Sequence, residues 1–122
     1  MHFDQREQAA LREVGLSTDD LQRASELVAE RVEATAADLE AFFDREVVYS
    51  EMDLAHSADD HAEHEVRFLD TYTHAADLQG WLRFETWGVA VTDGRVLSEE
   101  RVELTLEGRH GRTRFATSPE AL

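Results

Sequence analysis

The chain has 122 residues, no cysteine, one proline and a formal net charge of −15 at pH 7. That length fits one domain, and 42% hydrophobic residues suffice for a core, while the missing cysteines exclude disulfides, Cys–Zn sites, thiol catalysis and iron–sulfur clusters. No apolar run approaches the ~20 residues of a membrane-spanning helix, and Met1-His2-Phe3-Asp4 does not open a signal peptide.

The charge is unevenly spread. Residues 1–77 hold 6 Arg against 20 Asp and Glu, whereas residues 78–122 hold 6 Arg against 7. Periodicity changes at the same place, so one domain over 1–122 is expected to have an acidic helical half and a near-neutral β half. Phe3-Asp4-x-x-Glu7 reads as a capping box, followed by Ala10, Leu11 and Val14 and a stop at Gly15. Ser17-x-x-Asp20 reads as a second cap. From there Leu21, Ser25, Val28, Val32, Thr35, Leu39 and Phe42 recur at alternating steps of four and three, which predicts one helix of about seven turns with a narrow seam. That seam packs either on the chain's own sheet or first helix, or on a second copy.

Residues 46–56 fit helix, strand or loop. Ser57-Ala58-Asp59-Asp60 resembles the cap of a third helix, with Ala58, Ala62, Val66, Leu69, Thr73 and Ala76 on its buried side and Gly80 at its end. The remainder predicts three strands. The first runs from Trp81 to Val91, with a hairpin at Asp93-Gly94. The second alternates Val102, Leu104 and Leu106 against charged neighbours, after an interruption at Ser98-Glu99-Glu100 that marks a bulge or bend. Gly108–Gly111 forms a turn, and the third strand places Thr113 and Phe115 opposite Arg112 and Arg114. The expected fold is therefore α+β: three N-terminal helices, one of them long, packed on a C-terminal three-stranded antiparallel β-meander.

Three groups of residues could carry chemistry. His56, Asp60, His61, His64 and Glu65, with Asp53 nearby, mix imidazole and carboxylate as Zn²⁺, Mn²⁺ or Ni²⁺ sites do. On a helix His61 would stand three residues from His64 and four from Glu65, so either pair could share an ion; an exposed acidic helix face explains the same residues without one. Arg109-His110-Gly111-Arg112-Thr113-Arg114 is a basic turn in an acidic chain, suited to an anion or a nucleic-acid backbone through Arg109, Arg112 and Arg114. Pairing of Arg112 and Arg114 with Glu103 or Glu107 across strands is the structural explanation. Nucleic acid is disfavoured by the overall charge. Finally, Trp81 and Trp87 share a parity with Val89 and Val91, while Leu82 and Phe84 hold the other. Apolar groups on both faces fit core packing, a dimer face or a ligand pocket walled by tryptophan.

All basic residues are arginine, and lysine, asparagine and isoleucine are absent, which points to a GC-rich genome. Fifteen excess negative charges repel one another in dilute buffer, and in molar salt a Debye length of about 3 Å removes most of that repulsion. Composition thus predicts a cytoplasmic protein of a high-salt cell. The run Val48-Tyr49-Ser50-Glu51-Met52-Asp53-Leu54-Ala55-His56-Ser57, with Phe84-Glu85-Thr86-Trp87-Gly88-Val89, resembles a small uncharacterised haloarchaeal family. The resemblance implies a habitat and no activity.

No Gly-x-Ser-x-Gly elbow, phosphate-binding loop or Gly-x-Gly-x-x-Gly is present. The expected function is a non-enzymatic interaction module or homodimer, associating through Val28, Val32, Leu39 and Phe42 on the long helix and Trp81 or Trp87 on the sheet. The alternatives are a metal-binding protein or metal-dependent enzyme using the His56–Glu65 segment, and a nucleic-acid-binding regulator using the Arg109–Arg114 hairpin.

Overall fold

The computed structural model describes residues 3–52 and 62–122. Two α-helices precede the sheet. The first, α1 (Gln5–Glu13), begins at the Asp4–Glu7 capping box, and α2 (Thr18–Phe42) begins at a matching Ser17–Asp20 box. Both starts agree with the sequence, because each cap side chain accepts a backbone N–H that the first turn leaves without a partner. At the far end of α2, Arg45 donates from Nε to the Phe42 carbonyl at 2.5 Å and lies over the Phe42 ring.

Six antiparallel strands follow: β1 (Val47–Ser50), β2 (Ala62–His74), β3 (Asp77–Phe84), β4 (Gly88–Ser98), β5 (Arg101–Leu106) and β6 (Gly111–Ala116). Each pairs with the next, and β1 pairs with β6 through Tyr49–Ala116 and Ser50–Phe115, which closes the sheet into a barrel. Closure removes the exposed edges that a three-stranded meander would leave. The strands' inward side is apolar apart from Ser50, His64 and Thr113, and their outward side carries Glu63, Glu65, Asp70, Arg95, Arg112 and Arg114. That arrangement is the reverse of the lipid-facing apolar band of a membrane barrel. Among the described residues no helix is long and apolar enough to cross a membrane.

This architecture corrects the expected three helices on a three-stranded meander. The third helix is instead the strand β2. A register shift between Val66 and Phe68 exchanges inward and outward positions, so Ala62, Val66 and Leu69 all turn toward the interior. Their four-and-three spacing imitates a helical stripe, although the segment has period two on either side of the bulge. The β-branched and aromatic residues Val66, Phe68, Thr71, Tyr72 and Thr73 favour the extended form. Residues 46–56 begin with β1, which ends in the buried Ser50.

The expected strand from Trp81 to Val91 is likewise two strands, parted by the Glu85–Trp87 turn. Asp93-Gly94 forms no hairpin. It lies within β4 just after a register shift, and the chain reverses at Glu99–Glu100 instead. Gly94 serves close approach: a Cβ there would stand 2.7 Å from Leu39 Cδ1 of α2 and 2.8 Å from Leu104 Cδ2 of β5. The alternation of Val102, Leu104 and Leu106 and the turn at Gly108–His110 are as the sequence indicates. So is the strand pairing of Arg114 with Glu103.

One core unites helix and barrel. The C-terminal half of α2 contributes Ala36, Leu39, Phe42 and Phe43 to the cluster containing Val48, Leu82, Phe84, Val102, Leu104, Leu106 and Phe115. Phe43 meets Phe115 edge to face at 5.3 Å between ring centroids. Glu40 of α2 accepts from the Thr71 backbone N–H at 3.1 Å, tying the helix to β2.

Candidate functional site

The antiparallel order places the end of β1, the start of β2, the β3–β4 turn and the β5–β6 turn at one end of the barrel. Two polar side chains of β1 and β2 enter the core at this end, where Thr113 of β6 is buried as well. Val48 of β1 is opposite His64 of β2 and Ser50 is opposite Ala62, so inward-facing Ser50 and His64 are diagonal neighbours. Ser50 is wholly buried and His64 is 5% exposed. Ser50 Oγ lies 2.7 Å from His64 Nε2 and accepts the Met52 backbone N–H at 3.2 Å.

Aromatic rings hold the imidazole. It stacks on Phe84 at 4.5 Å with an interplanar angle of 18°, meets Trp87 edge-on at 6.0 Å, and has Phe115 at 6.1 Å. Trp87 in turn lies 5.0 Å from Phe84 and 5.9 Å from His110. Removal from water disfavours the imidazolium, and the nearby His110 adds a smaller effect of the same sign, so the His64 pKa falls from 6.5 to about 4. At neutral pH the ring is an uncharged hydrogen-bonding group.

A cleft of about 630 Å³ opens beside this ring, lined by Glu63, His64, Glu65, Phe84, Glu85, Thr86 and Trp87. Its origin is the end of the β2–β3 ladder. The last paired residues are Val66 and Phe84, followed by one bond from the Glu85 N–H to the Glu65 carbonyl at 2.9 Å. Among the described residues, Ala62–His64 pair with β1 alone, and the cleft lies between them and the Glu85–Trp87 turn. On the rim, Arg67 grips Glu85 with both guanidinium arms, Nε to Oε2 at 2.5 Å and a second nitrogen to Oε1 at 2.9 Å.

The Ser–His pair lacks the geometry of nucleophilic catalysis. A serine nucleophile must reach its substrate, and Ser50 is sealed in the core with Met52 on its oxygen. Ser50 instead fixes the ring whose edge borders the cleft. Such a site can bind and orient a ligand.

Of the metal candidates, His56, Asp60 and His61, like Asp53, lie outside the described residues. His64 and Glu65 are adjacent on a strand, with His64 inward and Glu65 exposed outward, so the helical spacing on which the expected metal pairs relied does not operate. Among the described residues no group of three or more His, Asp or Glu side chains is placed to hold an ion. Arg109, Arg112 and Arg114 are exposed on and beside the β5–β6 turn, and Arg114 approaches Glu103 at 3.8 Å, while Arg95 meets the same carboxylate at 3.0 Å.

Leu39 and Phe42 are buried in the chain's own core, and Val28 and Val32 are half-buried along a groove beside Gly94. Trp81 points outward, 45% exposed, with its ring over Gly88, whereas Trp87 is half-buried at the cleft. The Glu85–Trp87 turn resets parity between the two tryptophans, which is why they part. Ser50 and Thr86 were not among the candidate residues of the sequence reading, which placed Phe84 only on the strand face opposite the tryptophans. The signal for Ser50 was its place two residues after Val48, on the same strand face.

Neither a curated protein nor a solved structure matches the chain. The model of a family of unknown function, DUF7532, matches residues 1–120, and the chain belongs to that family.

Proposed function

We propose that the chain is a non-enzymatic binding protein whose barrel mouth receives a small organic ligand against His64, Phe84 and Trp87. The observation that carries this reading is the buried, neutral His64, pinned by Ser50 at the wall of a 630 Å³ cleft. Ligand sites combine that range of volume with aromatic walls and a few fixed polar groups, and a strongly shifted titratable residue marks such places. A nuclear magnetic resonance screen of planar aromatic fragments tests it. Hits should move the Trp87 indole and His64 ring signals and lose their effect in Trp87→Ala. A screen whose hits all map to the outward Trp81, or that yields none, overturns the reading.

A second reading, association with another copy, is supported by the aromatic residues Phe68, Tyr72 and Trp81. They are 43%, 63% and 45% exposed on the outer face of β2 and β3. Sedimentation in molar KCl decides it: a monomer at every concentration removes it.

A further inference from the structure

Resting on the reading of this cleft as a ligand site, we infer that its ligand is a planar aromatic cation, of the amidinium or protonated N-heterocycle class. Shape comes from the wall. The half-buried Trp87 is the ring that offers area to the opening, backed by the buried rings of His64 and Phe84 at spacings of 4.5–6.0 Å, which favours a planar group. Charge comes from the rim. Three carboxylates, Glu63, Glu65 and Glu85, line the cleft.

Arg67 neutralises Glu85. Among the described residues Glu63 and Glu65 form no ion pair, and both are exposed. His64 adds no positive charge, being neutral at pH 7. An anionic ligand would meet two like charges and find no cation among the described residues of the lining. A cationic one gains both carboxylates and the face of Trp87, the best of the ring systems for a cation. Thr86 supplies a hydroxyl at the same opening, able to donate or accept.

Benzamidine, benzamide and benzoate have nearly the same shape and carry positive, zero and negative charge. They are titrated against the intact chain at the lowest ionic strength at which it stays folded, following the Trp87 indole N–H. Benzamidine should bind about tenfold more tightly than benzamide, with benzoate weakest. The preference should shrink with added salt and in the double variant Glu63→Gln, Glu65→Gln, which should leave benzamide unchanged and the circular dichroism intact. If benzamide and benzamidine bind equally, or benzoate binds best, the charge class is wrong while the cleft stands. If none of the three moves Trp87, the cleft reading falls and the inference with it.

Discussion

The two walls of the barrel are built differently. In the β4–β6 wall, Val91, Val102, Leu104, Leu106 and Phe115 fill the inside, and outside Arg95 and Arg114 converge on Glu103. In the β1–β3 wall, the ladder shifts register after Val66 and ends at Phe84, and the interior accepts a serine and a histidine. One wall stays paired through two register shifts and is apolar within apart from Thr113. The other gives up regular pairing and packing where the cleft opens, and a protein departs from the simplest packing where a site requires it. The proposed cleft lies where the pairing of the barrel is relaxed.

The largest effect should come from the apolar wall. Leu104 is fully buried against Leu39 and its strand neighbours, so Leu104→Ala should cost about 3 kcal/mol in denaturant unfolding, within the usual range for a buried leucine. A cost below about 1 kcal/mol would show that this wall is loosely packed and would break the comparison.

The polar wall should respond to pH instead. With the folded pKa of His64 near 4 and its ordinary value at 6.5, the unfolded chain binds the extra proton between those values. The His64 contribution is therefore intact above pH 6.5 and is lost as pH falls toward 4, to the extent of roughly 3 kcal/mol. Carboxylates add their own dependence in the lower part of that window, so the measurement is the difference between wild type and His64→Phe. The variant should show a flatter stability profile from pH 6.5 to 4. Parallel profiles would mean that the ring is not held neutral by burial.

The smallest effect should lie on the outside of the apolar wall. Glu103→Gln removes the partner of two arginines that are 62% and 45% exposed, and should cost less than about 1 kcal/mol, less still in molar salt. A larger, salt-independent loss would make this surface cluster a structural element equal to the core.

Legibility in the sequence followed the same division. Val102, Leu104 and Leu106 alternate without interruption, so β5 could be read directly. Both helix starts were legible because capping depends on residues three apart. In β2 a single bulge converted period two into a helical spacing, and counting His64 as polar hid the alternation of Ala62, His64 and Val66. The cleft was legible only in part. The tryptophans suggested a pocket wall, but the pairing of Ser50 with His64 depends on strand register between segments fourteen residues apart, which no local pattern encodes. Asp93-Gly94 shows the opposite error: a strong turn signal reflected the space needed by Leu39.

The short seam between β1 and β6 has a kinetic consequence. Each of the pairings from β2 to β6 joins neighbours in sequence, so those hairpins can zip one after another with little loop entropy to overcome. The Tyr49–Ala116 and Ser50–Phe115 pairs instead join the first strand to the last, the most distant contact in the sheet and the slowest kind to form. Ser50 belongs to that seam. The Ser50–His64 contact comes with the β1–β2 ladder, and closure then brings Phe115 of β6 beside it to complete the aromatic surround of the histidine.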